Sequence, residues 1–215
     1  IRDTDRSRGL GDVYKRQKVC FDEKEIHVDA GNISEFDISD SKFDNGRIEI
    51  KPDTADGKIK VTNISRSQGN PEYYGIIELS LWDEGIVIIN ETDIEQYLKT
   101  VVPSEMPVSF GVEALKVQAV CARSYAYKHL TNVGYALYGA HVDDSTQFQV
   151  YNNNLEFDAS NQAILATKGE MLRYGDDVVQ AYYYSTSCGS GTDVTLWGSS
   201  KESYPYYDCL LYTSD

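Results

Sequence analysis

The sequence is poor in cysteine, in basic charge and in long apolar runs. Its four cysteines are Cys20, Cys121, Cys188 and Cys209. They form no CxxC pair, and their spacings are not those of a zinc module. Nor do they make a disulfide framework, so they read as buried or half-exposed thiols. Lys and Arg number 20 against 34 Asp and Glu, a formal net charge of −14. So acidic a chain repels phosphate backbones, which argues against nucleic acid as a partner. Neutral or cationic ligands remain, and a sugar polymer fits. No leader peptide and no membrane-spanning run is visible, but the sequence reads as a piece of a longer protein, so neither absence assigns a compartment. Repeats and low-complexity tracts are missing too.

What is present is enough to build a core. Hydrophobic residues make up 41% of the chain and aromatics 12%, with 17 tyrosines. Global disorder is excluded on that composition. The 215 residues allow one large domain, or a domain with a small appendage. The two ends differ in character from the rest and resemble translated linker. Residues 1–17 and 209–215 are therefore set apart as non-native, and residues 18–208 are read as a native part truncated at both ends. Within it, residues 18–72 form a β-rich N-terminal part and residues 73–208 a mixed core.

Local patterns outline an α+β fold, a β-rich domain with two central helices flanking a proline-bounded loop. Residues 47–51 and 58–62 alternate polar and apolar side chains, as half-buried strands do, each preceded by a turn signal. Residues 74–81 and 85–89 form a further pair around Asp83, Glu84 and Gly85. Thr92 and Glu95 stand at capping-box spacing before a short helix, which should end near Val102 because Pro103 disfavours helix before it. A second, longer helix is predicted from Gly111 to Leu130, with Val112, Leu115, Ala119, Ala122, Tyr125 and Ala126 on one face. Strand-like alternation returns over 147–151, a third helix over 158–166, and a hairpin turns at Gly175 and Asp176.

Between the two helices lies V-V-P-S-E-M-P, residues 101–107, a stiff loop holding the lone carboxyl of Glu105. Other candidates are weaker. Residues 187–192, S-C-G-S-G-T, are rich in glycine but lack the lysine of a phosphate loop. His141, Asp143 and Asp144 cluster as at metal and acid–base sites, a pattern also common on inert loops. No nucleophile elbow is present. Tyr182, Tyr183 and Tyr184 would place Tyr183 opposite the other two on a strand, where tyrosines either pack or stack on sugars.

The line from Tyr97 through V-V-P-S-E-M-P, then E-A-L-K-V-Q-A-V-C-A-R-S-Y-A at 113–126, resembles the stage II sporulation protein D family. Asp144, residues 149–151, 166–169 and 181–185, Ser187, Gly189, Thr192, Trp197–Gly198 and residues 204–206 follow in family order. Lys99–Thr100 lacks the family's usual glycine, and Cys121 replaces a helix alanine. The resemblance implies a lytic transglycosylase, a lyase of bacterial peptidoglycan, with Glu105 as its single catalytic acid. Gln149, Tyr151, Tyr183, Ser185, Ser187, Gly189 and Thr192 would hold the sugar, with Ser104, Arg123 and Asp144 in support. Some relatives carry a Cys/His zinc site near the Asp–Gln loop. Residues 134–151 here hold no cysteine, so no metal is expected, and no cofactor is implied. The expected partner is the peptidoglycan glycan strand, and the expected location is extracytoplasmic. Two alternatives stand beside this: a non-catalytic glycan-binding module that enhances a partner cell-wall amidase, and an ordinary hydrolase using Asp143 or Asp144 as base.

Overall fold

The computed structural model describes residues 11–13, 17–21, 24–28, 33–37, 43, 46–83, 85–131, 133–151, 156–186 and 194–207, with backbone only for 11–28 and 196–197. Strands come first. β1 (Gly11–Val13), β2 (Gln17–Phe21), β3 (Lys24–Val28), β4 (Ile48–Pro52), β5 (Lys58–Lys60), β6 (Glu72–Tyr74), β7 (Ile76–Trp82) and β8 (Gly85–Glu91) precede three helices. These are α1 (Ile94–Glu105), α2 (Val112–Thr131) and α3 (Asp158–Ala166), followed by the short strands β9 (Arg173–Tyr174) and β10 (Asp177–Val178). The fold is α+β.

Among the described residues there are three antiparallel sheets. The largest runs β3-β2-β4-β7-β8, a second runs β1-β5-β6, and β9 pairs with β10. Gly75 joins the first two, with φ 78° between β6 and β7. A Cβ there would collide with the Glu91 carbonyl, so only glycine lets the strands diverge at that point.

β8 is buried along most of its length because both of its faces are covered. Ile86 and Ile88 join the main core, while Val87 and Ile89 pack with Ala140 under Trp82, Tyr135 and Tyr138. The main core lies where the sheets meet the helices. Leu98, Val101 and Val102 of α1 recur at helical spacing and face Leu115, Ala119 and Ala122 of α2. The alanines let the two helices approach closely. No helix among the described residues is long and apolar enough to cross a membrane.

Three local expectations need correction. The first helix is capped by Asp93, whose Oδ1 accepts the Glu95 N–H at 2.8 Å, so Thr92 and Glu95 form no capping box. It also runs past Pro103 to Glu105, which places the acid on a helix end and not in a loop. Pro103 removes a single N–H from the last turn, and burial of Val101 and Val102 outweighs that loss. Residues 147–151 form no strand, because their backbone groups are engaged elsewhere, as described below. Smaller differences are that Val112 is exposed and that the β9–β10 hairpin pairs only two residues on each side.

Arg123 bolts the helices together. Its side chain is 1% exposed, and its Nε and Nη2 each donate to a Glu95 carboxylate oxygen at 2.8 Å. The same guanidinium donates to the carbonyls of Ile164, at 3.3 Å, and Glu170, at 3.1 Å. One planar group thus joins α1, α2 and the end of α3. Arg123→Met should lower unfolding free energy by about 3–5 kcal/mol, since it strands Glu95 in a largely dry position. Urea denaturation tests this. Arg123→Met combined with Glu95→Leu should recover most of the loss, and an unchanged midpoint in the single variant would refute the bolt.

Candidate active site

Glu105 is the last residue of α1 and is half-buried. Its Oε1 accepts the Val150 N–H at 2.6 Å, across 45 residues of sequence. Among the described residues no other hydrogen bond reaches this carboxyl. Burial pushes its pKa above the ordinary value of 4.5, and the Val150 N–H offsets part of that rise by favouring the anion. A half-dry carboxyl that holds its proton is suited to general acid work.

Tyrosines surround it. Burial, with Tyr182 and Glu105 beside it, pushes the Tyr125 hydroxyl up to about 12. Burial likewise raises Tyr97 and Tyr183, and the charge of Glu105 adds to both. These phenols stay protonated at any physiological pH and serve as neutral donors. Gln149, 1% exposed, ties them to the helices. It accepts from the Tyr97 hydroxyl at 3.2 Å and donates to the Tyr183 hydroxyl at 3.0 Å and the Ala122 carbonyl at 3.3 Å.

The remaining sequence candidates fall in several places. Tyr151 is buried, stacks on Tyr97 at 5.1 Å and donates to Asn90 Oδ1 at 3.3 Å, so it supports the site from beneath. Tyr183 is half-buried beside Gln149, and Ser185 is exposed with its Oγ 3.4 Å from Thr186 Oγ1. Ser104 donates to the Thr100 carbonyl of its own helix at 2.6 Å. Arg123 lies in the helix bolt described above. Ser187, Gly189 and Thr192 lie outside the described residues. Of the apolar walls expected around Glu105, Val102 turns into the core, Met106 is half-buried and Pro107 is exposed.

Asp143 and Asp144 do not converge with His141 on a metal site. Asp143 accepts from the Tyr135 hydroxyl and from the Ser145 N–H at 2.8 Å. Burial raises its pKa, but those hydrogen bonds outweigh burial and leave it lowered, which makes it a weak base. Asp144 is ion-paired with Arg66, and its carbonyl accepts the Tyr151 N–H at 3.4 Å. Among the described residues no group of three or more His, Cys, Asp and Glu side chains is placed to hold a metal. A cavity of about 660 Å³ is lined by both aspartates together with Tyr97 and Tyr151, but not by Glu105.

Sequence reasoning missed Tyr97, Tyr125 and the Val150 N–H. Tyr97, Val101 and Glu105 stand four residues apart, which aligns them along one helix face. That signal is readable only once the helix is carried past Pro103.

The sequence model of the family described as Stage II sporulation protein matches residues 83–174, which include Glu105, Gln149 and the tyrosines at 97 and 125. Over that stretch, which is under half of the chain, the sequence is similar to the stage II sporulation protein family. Similar proteins include an uncharacterised protein of Brachyspira hyodysenteriae, 39% identical over 123 residues, or 57% of this chain and 33% of that one. The amidase enhancer of Bacillus subtilis strain 168 is 38% identical over 120 residues, 55% of this chain and 15% of the relative. Stage II sporulation protein D of the same strain is 30% identical over 130 residues, 54% of this chain and 38% of the relative. The chain therefore spans less than two fifths of the curated relatives it matches. No solved structure matches it.

The raised pKa of Glu105 has a consequence for stability. The folded chain binds this proton more tightly than the unfolded chain, so the group's contribution is complete below about pH 4.5 and declines as pH rises through the folded value. Glu105→Gln keeps an acceptor for the Val150 N–H and cannot ionise. Its melting temperature should exceed the parent's at pH 7, with the gap closing at pH 4. A gap independent of pH would show that burial does not hold the proton there.

Proposed function

We propose that this domain cleaves the MurNAc–GlcNAc glycosidic bond of peptidoglycan strands as a lytic transglycosylase, with Glu105 as its single acid and base. The observation that carries the reading is the half-buried carboxyl at the end of α1, one oxygen held by the Val150 N–H and the other with no hydrogen-bond partner among the described residues. Glycoside hydrolysis ordinarily needs two carboxyl groups, one as acid and one to activate water or attack the sugar. Asp143 and Asp144 are each engaged by fixed partners, which argues against a second carboxyl in that role.

The chemistry balances with one carboxyl. Protonated Glu105 gives its proton to the glycosidic oxygen as the bond from that oxygen to C1 of the muramic sugar breaks. The C6 hydroxyl of the same sugar then attacks C1, and the Glu105 carboxylate takes the hydroxyl proton. A 1,6-anhydro ring closes and the acid is regenerated. Proximity favours this route, because the nucleophile is already attached to the reacting carbon. Tyr97, Tyr125 and Tyr183, protonated and clustered around the carboxyl, are suited to pair with sugar hydroxyls. Such chemistry belongs outside the cytoplasm, at the cell wall.

A second reading is favoured by the 38% identity to the amidase enhancer. In it, the same surface grips a glycan strand and delivers a partner amidase without cutting. Glu105→Gln separates the two. Under the first reading it lowers release of anhydro-ended products from peptide-free strands by about a hundred- to ten-thousandfold. Mass spectrometry of the digest reads the ends. Unchanged release in Glu105→Gln, or reducing ends in place of anhydro ends, would end the transglycosylase proposal.

A further inference from the structure

The tyrosines around Glu105 continue outward. Tyr125 meets Tyr182 at 5.9 Å between ring centroids, and Tyr182 stacks on Tyr207 at 6.0 Å and 28°. Tyr207 meets Tyr206 at 5.0 Å, and Tyr206 meets Tyr174 at 5.8 Å. The ladder leaves the site at Tyr125 and reaches the surface, where Tyr182 is 46% and Tyr174 55% exposed.

Its backing is fixed by the phenol groups. The Tyr207 hydroxyl accepts the Tyr182 N–H at 2.6 Å and donates to the Gln180 carbonyl. The Tyr206 hydroxyl accepts the Gln180 N–H at 3.1 Å. Residues 180–182 pair with no strand among the described residues, and these two phenols take the place of a neighbouring backbone and hold the ring of Tyr182 in position. Large aromatic faces held open to water and rimmed by polar atoms mark a binding surface. Rigid, amphipathic tyrosines lose little side-chain entropy on contact.

We propose that this ladder is an extended glycan platform, along which a strand lies with sugar faces on Tyr182 and Tyr174 while its reacting residue sits at Glu105. The occupant follows from continuity: the ladder begins at Tyr125 beside the acid, so a polymer that reaches Glu105 along this face lies over it. A sugar ring offers an apolar face of C–H groups and a rim of hydroxyls, which match a tyrosine's ring and phenol. The proposal rests on the glycan-directed reading of the site and adds that recognition grows with strand length.

The test uses the full chain with Glu105→Gln, so that no strand is cut, and N-acetylglucosamine oligosaccharides as probes in calorimetry. The hexasaccharide should bind more tightly than the disaccharide. Tyr182→Ala and Tyr174→Ala should each weaken the hexasaccharide by about two- to tenfold and leave the disaccharide unchanged. Tyr184→Ala serves as control, since Tyr184 is equally exposed at 55% but has no place in the ladder. Equal loss in that control, no dependence on length, or no binding of the hexasaccharide would overturn the platform. So would a change in oligomeric state, seen by sedimentation of the tyrosine variants without loss of sugar binding. If the ladder variants lose the hexasaccharide while the parent with Glu105 makes no anhydro ends, the platform stands and the cleavage proposal falls. If anhydro ends form but ladder variants bind normally, only the platform falls.

Discussion

The buried pair of Arg123 and Glu95 is the constraint on which the rest of the molecule depends. Glu95 is in the first turn of α1 and Glu105 is the residue that ends it, so whatever fixes one fixes the other through a single rigid helix. The guanidinium also binds the Ile164 carbonyl in the last turn of α3 and the Glu170 carbonyl beyond it, and this leaves its charge well matched on most sides. A cation this dry is tolerable only with such partners. The pair therefore costs desolvation but sets the direction in which α1 points.

Around Glu105 two opposing effects are set against each other. Burial resists the anion, and the Val150 N–H favours it. A carboxyl with no donor would be a stronger proton holder but a slow base, and one with several donors would never protonate at neutral pH. A single backbone donor leaves it able to do both. Gln149, adjacent to Val150, links the tyrosines to α2, so the same short segment positions the acid and its neighbours.

Much of the fold was readable where the signal is local. α3 occupies residues 158–166 as its pattern predicts, α2 is shifted by one residue, and the β7–β8 hairpin turns where expected. What escaped was decided at long range. The alternation at 147–151 suggests a strand, yet the Val150 N–H goes to a side chain 45 residues earlier. Thr92 and Glu95 suggest a capping box, yet Glu95 reaches a buried arginine on another helix instead of folding back on its own. Glu105 was legible as a carboxyl in a stiff segment and by family resemblance. Tyr97 was not, because ending the helix at Val102 hid its alignment with Glu105, and Tyr125 was legible only as part of a packing face.

Carrying α1 through Pro103 also gives Glu105 an unusual electrical setting. The aligned peptide dipoles of a helix leave partial negative charge at its C-terminal end, where cations are usually placed. The last turn of α1 contains no basic residue and ends on a carboxyl. The backbone dipole therefore pushes in the same direction as burial, against the anion and toward the protonated acid. Because that push comes from the peptide groups, exchanging neighbouring side chains cannot remove it while α1 stays wound.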